Sequence, residues 1–145
     1  MIEIRAPKTN EEWTSYFHLR YITLREPWSQ PLGSEKDDED QIAQQFALIE
    51  NGEVKGAGRL DIINSTTAQV RYFCVSQSAE RRGFGRKIME SIEEEAKKKG
   101  ISKIILHARE NAVPFYKSLG YTITEKSYLL FEEIQHWLME KKIEI

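Results

Sequence analysis

Arg81, Arg82, Arg86 and Lys87 crowd around two glycines, Gly83 and Gly85, in the run CVSQSAERRGFGRK at residues 74–87. This run lies between a strand-like segment, residues 69–75, and a long amphipathic helix pattern that starts near Gly85. A helix start already presents positive potential through its dipole and its unpaired N–H groups. Each added cation costs about 0.3–1 kcal/mol there unless an anion joins it. Gly83 and Gly85 leave the backbone free to approach such an anion and to aim successive N–H groups at it. The chemistry implied is phosphate binding; a tight turn with solvated arginines is the other reading of the same residues.

Two familiar phosphate motifs do not fit. No G-x-x-x-x-G-K-[ST] run surrounds Gly83 or Gly85. A dinucleotide fingerprint needs a third glycine where this chain has Ile88, and an acid near Lys103, where the residues are basic and apolar.

The elements that must position this loop follow from patterning. In the long helix Ile88, Met89, Ile92 and Ala96 make one apolar face. Glu93/Lys97, Glu94/Lys98 and Glu95/Lys99 lie on its polar side, and Gly100 closes it. Residues 2–5 alternate as a first strand, and Thr9 or Asn10 caps a helix containing Trp13, Phe17, Arg20 and Tyr21. Residues 26–40 form an acidic loop, read either as a lip for an acceptor substrate or as a solvated connector with Trp28 folded onto the body. A helical turn is expected over residues 39–45. Strands are expected at 46–50 and 54–62 around the Asn51-Gly52 turn, and at 101–107 in the centre of the sheet. A short helix over 112–119 ends at Gly120. Strand material at 121–124 and 129–131 and a last strand at 136–139 complete the chain. The order predicts an α/β protein with a mixed sheet and helices on both faces.

At 145 residues the chain is long enough to bury a core without metal or disulfide staples, and 1–145 is read as a single domain. A net charge of −2 argues against a nucleic-acid partner and makes the basic loop a local feature. The lone Cys74 excludes an internal disulfide and fits a reducing compartment. No leader pattern and no membrane-length apolar run appear, so no membrane partner and a cytoplasmic location are expected. The three histidines lack ligand spacing, so no metal is expected.

The string Glu80-Arg81-Arg82-Gly83-Phe84-Gly85 resembles the acyl-CoA-binding motif of the GNAT acetyltransferase superfamily, [QR]-x-x-G-x-[GA], with Glu80 in place of the usual Arg or Gln. The run from Arg109 to Tyr121 resembles that family's second motif, roughly N-x-x-A-x-x-[FLY]-Y-x-x-x-G-[FY]. Ala112, Phe115, Tyr116, Gly120 and Tyr121 fall on it, and Arg109 stands where Asn is usual. Ile134, His136 and Met139 are similar to the ending of a bacterial branch of the family.

The resemblance implies the GNAT acyl-CoA N-acyltransferase fold, a mostly antiparallel central sheet flanked by helices. It implies direct transfer of an acetyl group from acetyl-CoA to a primary amine of a small molecule or peptide. Arg81, Arg82, Gly83, Phe84, Gly85 and Arg86 would hold the diphosphate of acetyl-CoA, and Phe73, Cys74 and Val75 would pair with its pantetheine arm. A backbone N–H there would polarise the thioester oxygen. Tyr116 would protonate the leaving thiolate, a phenol of pKa about 10 facing a thiol of about 8.5. The base stays open among His136, His107, Glu132, Glu133 and water, while Cys74 reads as a small buried hydrophobe rather than a nucleophile. The acidic loop mildly favours a cationic amine. Members of the family often pair as homodimers; the sequence leaves the oligomeric state and the acceptor open. A non-catalytic GNAT-fold module that senses acyl-CoA, and a structural partner protein docking through the acidic loop, are the alternative functions.

Overall fold

Across residues 1–131 and 133–144, which this computed structural model describes, apolar runs and turn residues divide the chain into a seven-stranded sheet and three α-helices. In chain order they are β1 (Ile2–Arg5), α1 (Asn10–Leu24), β2 (Gln44–Glu50), β3 (Glu53–Ile62), β4 (Thr67–Val75), α2 (Phe84–Lys98), β5 (Lys103–Arg109), α3 (Val113–Ser118), β6 (Thr122–Leu130) and β7 (Ile134–Lys142). The strand order is β1-β2-β3-β4-β5-β7-β6. Only β4 and β5 run parallel, joined by the crossover through α2.

Both faces of the sheet are covered, which is why β2 reads Phe46-Ala47-Leu48-Ile49 without alternation and buries all four. On one face Ile88, Met89, Ile92 and Ala96 of α2 pack against Leu48, Leu60, Val70, Ile104 and Leu106. Gly56 and Gly58 permit this contact, because a side chain at either would run into Ile88 or Ile92. Truncating Ile92 to Ala would cost about 2–5 kcal/mol. On the other face Tyr16, Leu19 and Leu24 of α1 meet Ala47, Ile49, Ala57 and Cys74.

Several boundaries differ from the sequence expectation for local reasons. Ile101 is not the first residue of β5: its N–H bonds the Ala96 carbonyl and that of Gly100 bonds Lys97, a helix cap that needs the left-handed Gly100 (φ +77). The turn expected over 39–45 is a 3₁₀ turn over Asp38–Gln41, held by a reciprocal capping box between Asp37 and Asp40, and Gln44 already belongs to β2. The two pieces expected at 121–124 and 129–131 are one strand, β6, with register shifts at Ile123/Glu125 and Lys126/Leu129. β7 extends well beyond 136–139.

The feature that shapes the site is a short seam. β4 and β5 pair only from Thr67–Lys103 to Val70–Leu106, and then part. At that point β4 carries a bulge, with Tyr72 in the left-handed region (φ +50) and a register shift against β3. The extra residue reverses the side-chain alternation. Val70 and Phe73 therefore share the α2 face, while Tyr72 and Cys74 turn to the α1 face.

Candidate active site

Where β4 and β5 separate, a cleft of about 410 Å³ opens through the sheet. Its α2-facing wall includes Phe73, Ala112, Phe115 and Tyr116; its other wall includes Arg25, Arg71, Tyr72, His107, Arg109 and His136. Backbone N–H groups alternate sides along an extended strand. Ser76 donates its N–H to the Lys55 carbonyl on the β3 side at 2.8 Å, so those of Val75 and Phe73 turn toward the cleft. Cys74 falls on the other phase. Its backbone faces Ala57 of β3 and its thiol is buried under α1, where burial pushes it up to about 12. Of the three strand residues named for the pantetheine arm, Phe73 lines the cleft, Val75 continues the same free backbone edge, and Cys74 faces β3.

At the start of α2, Gly83 is left-handed (φ +77) and no side chain caps the helix. The helix therefore begins with unpaired N–H groups at Phe84, Gly85 and Arg86. Gly85 lies against the aromatic wall: a Cβ there would sit 3.1 Å from the Phe115 ring and 3.3 Å from Phe73. The six predicted loop residues divide by role. Arg81 and Arg86 are exposed, and among the described residues no hydrogen bond or ion pair holds their side chains. The Arg82 guanidinium is already committed, donating to the Glu50 carboxylate at 2.7 Å and lying 4.4 Å from the Phe84 ring centroid. The Phe84 side chain is core, so only its backbone faces outward.

Tyr116 reaches the cleft from α3, packed 5.9 Å from Phe73 and 5.1 Å from Phe115, ring to ring. Pro114 in the first turn of α3 and the left-handed Gly120 just beyond it (φ +96) fix this short helix. Burial pushes the Tyr116 phenol up, so it is protonated across the neutral range.

On the opposite wall, strand register unites residues far apart in sequence. Arg109 of β5 pairs with His136 of β7. The Tyr128 ring of β6 lies between the two histidines, stacked on His136 at 4.4 Å and tilted against His107 at 5.1 Å. Because the Ile134 carbonyl can only accept, His136 Nδ1 donates to it (3.0 Å), which leaves Nε2 as the lone-pair nitrogen. Burial, with Arg71 nearby, holds His107 below the ordinary imidazole value. Burial also lowers His136, with help from Arg109 despite the opposing Ile134 bond. His107 Nδ1 is buried and has no partner among the described residues. Glu133 sits in the exposed β6–β7 turn, and Glu132 lies outside the described residues.

Part of the charge of the acidic loop is spent inside the fold. Burial alone would raise the Asp40 carboxyl, but hydrogen bonds from Arg20, the Asp37 backbone and Gln45 hold it well below the usual range. Asp37 and Asp40 both accept from the fully buried Arg59, which also pairs with Asp61 at 2.7 Å. Arg20, equally buried, donates to both Asp40 oxygens, sharing Oδ1 with Arg59 at 2.9 Å and reaching Oδ2 at 3.2 Å. These two carboxylates anchor the loop to the sheet, so what remains of the field expected to favour a cationic amine comes from the exposed Glu26, Asp38 and Glu39. Trp28 folds onto the body, 4.5 Å beneath the Arg109 guanidinium.

Residues 10–143 match the acetyltransferase (GNAT) domain family. The uncharacterized protein YyaT of Bacillus subtilis is 30% identical over 116 residues, 76% of this chain and 77% of its own. The uncharacterized N-acetyltransferase YjcF of the same organism is 28% identical over 134 residues, covering 92% and 95%. An aminoglycoside 6'-N-acetyltransferase solved in complex with coenzyme A superposes with a TM-score of 0.84 at 16% identity, over 100% of this chain and 98% of that one.

Proposed function

The chain belongs to the GNAT acetyltransferase family and is a CoA-dependent N-acyltransferase, and from that premise we propose that it moves an acetyl group from acetyl-CoA to a primary amine by direct transfer. What carries the reading is one juxtaposition: the β4 edge left unpaired by β5 opens at Phe73 into the cleft beside the protonated Tyr116, near an uncapped helix start. Acetyl-CoA would supply an activated acyl group with an anionic diphosphate. The N–H groups of Phe84, Gly85 and Arg86, with Arg81 and Arg86, would hold that diphosphate. The N–H of Val75 or Phe73 would meet the acyl oxygen, where developing negative charge is best stabilised by a fixed donor. Tyr116 would give its proton to the departing sulfur.

For the base, His136 is the favoured group of those the sequence named. Its tautomer is fixed by Ile134, its ring is clamped by Tyr128, and burial keeps it neutral near pH 7. The buried Cys74 thiol supports a reducing, cytoplasmic setting.

The test is thiol release from acetyl-CoA across an amine panel. Tyr116→Phe lowers kcat by about 100-fold or more with acetyl-CoA affinity unchanged. Since His136 acts as the free base and its pKa is lowered, the acid limb it places on kcat/KM lies below about pH 6.5, well separated from the titration of the acceptor amine at higher pH. His136→Gln removes that acid limb. Acetyl-CoA binding without release from any amine would replace the enzyme reading with that of a sensing module.

A further inference from the structure

The far wall of the cleft concentrates positive charge that the fold does not answer. Arg25 and Arg71 approach the same Tyr72 ring, at 5.4 and 5.7 Å from its centroid. Arg25 and Arg109 converge on one acceptor, the Leu24 carbonyl at the end of α1, at 3.0 and 3.4 Å. The three guanidiniums thus form a chain with Arg25 in the middle, and all three line the cleft. None has a carboxylate within salt-bridge distance among the described residues.

The contrast with the inner pair is sharp. Arg20 and Arg59 press on the same Tyr72 ring, at 3.9 and 4.9 Å, and both are bonded to carboxylates. Asp37 is close enough to Arg71 for its ionisation to feel that charge, but both Asp37 oxygens are taken by Arg59. The described cleft-lining residues include no acid. The Leu24 carbonyl at the end of α1 and the Ser34 carbonyl, which accepts from Arg25 Nε at 3.0 Å, are partial charges set against full ones. Arg71 does not share even those, and it is exposed.

Guanidinium groups bind oxyanions in forked, charge-assisted pairs. We propose that the amine acceptor carries a carboxylate or another oxyanion a short tether away from its amine, and that Arg71, Arg109 and Arg25 hold that group while the amine faces His136. The unanswered charges lie on the wall that carries the two histidines, opposite Tyr116 and across the sheet from α2, so this anion is distinct from the diphosphate. The inference rests on the acyl-transfer reading and names its acceptor class.

The experiment compares matched amines on the full chain: 3-aminopropanoate against its carboxamide, 2-aminoethyl phosphate against 2-aminoethanol, and 1,3-diaminopropane as the cationic member. At least one anionic amine exceeds its neutral partner in kcat/KM by about 10- to 100-fold. Which anionic amine does so separates carboxylate from phosphate recognition. Arg71→Gln abolishes the preference through KM, with kcat and acetyl-CoA affinity retained. Equal use of the neutral or cationic amines overturns the proposal, as does an Arg71→Gln protein that slows every acceptor alike. If no amine turns over, calorimetry on the CoA-loaded protein decides: anionic amines that fail to bind at millimolar concentration also overturn it. Failure of acetyl-CoA itself to bind would sink the acyl-transfer reading, whereas acetyl-CoA binding with the wrong acceptor preference sinks this inference alone.

Discussion

The two long helices begin in opposite ways. At the start of α1, Thr9 accepts the Glu12 N–H at 3.1 Å, and Glu11 and Glu12 fill the first turn. The Glu12 carboxylate accepts from Arg5 at 2.9 Å and from the Lys8 N–H at 2.8 Å. A side chain caps one first-turn N–H and acids answer the dipole from within the chain. At the start of α2 there is no side-chain cap and no acid, and Arg81, Arg82, Arg86 and Lys87 stand there instead. One helix start is capped and acid-bearing, while the other is left open to an anion from outside.

The largest effect expected from breaking this contrast is at Gly85. Acetyl-CoA at 100 times its dissociation constant stabilises the wild type by about 2.7 kcal/mol, a rise of roughly 2–6 °C in the unfolding midpoint. Gly85→Trp abolishes that rise. Gly85→Ala, which only nudges the Phe73 and Phe115 rings, diminishes it. Next, Arg86→Glu gives α2 the acid that α1 has. Calorimetry should show acetyl-CoA affinity about tenfold weaker, while the ligand-free protein gains up to about 1 kcal/mol in denaturant unfolding. Third, Thr9→Ala destabilises the protein by about 1 kcal/mol and leaves acetyl-CoA affinity untouched. If Thr9→Ala weakened ligand binding as much as Arg86→Glu, the contrast would have no functional content.

The smallest effect is one of pH. Hydrogen bonds from Arg5 and the Lys8 backbone take Glu12 from 4.5 to about 2. A carboxyl depressed on folding adds stability above its unfolded value and loses it as pH falls through the folded one. The Glu12 contribution is therefore complete above about pH 4.5 and gone below about pH 2. Glu12→Gln should flatten the slope of stability against pH in that window.

What the sequence made legible was periodic or local. Ile88, Met89, Ile92 and Ala96 announce their helix by spacing, and Asn51-Gly52 supplies the left-handed pair that its hairpin turn uses. Gly83 and Gly85 with their arginines mark the loop, and Tyr116 could be found only because the residues around it match a motif. The rest depends on long-range register. His107, Tyr128 and His136 meet because β5, β7 and β6 are neighbours, and no short-range pattern carries that information. Asp37 and Asp40 read as acids of a loop; only the folded chain brings them to Arg20 and Arg59. Tyr72 gives no hint of its left-handed backbone, because a bulge at a tyrosine has no sequence signature.

The four-residue seam between β4 and β5 also sets a clock. Past Val70 the ladder ends on one side of β4 only. In deuterated water without ligand, the amide protons of Phe73 and Val75 should exchange quickly, while those of Cys74 and Ser76, tied to β3, exchange only when the sheet itself opens. Neighbouring residues of one strand would then differ in lifetime with a period of two. A ligand lying along that edge would erase the alternation, so the protection pattern of these four amides reports occupancy of the cleft without any chemistry taking place.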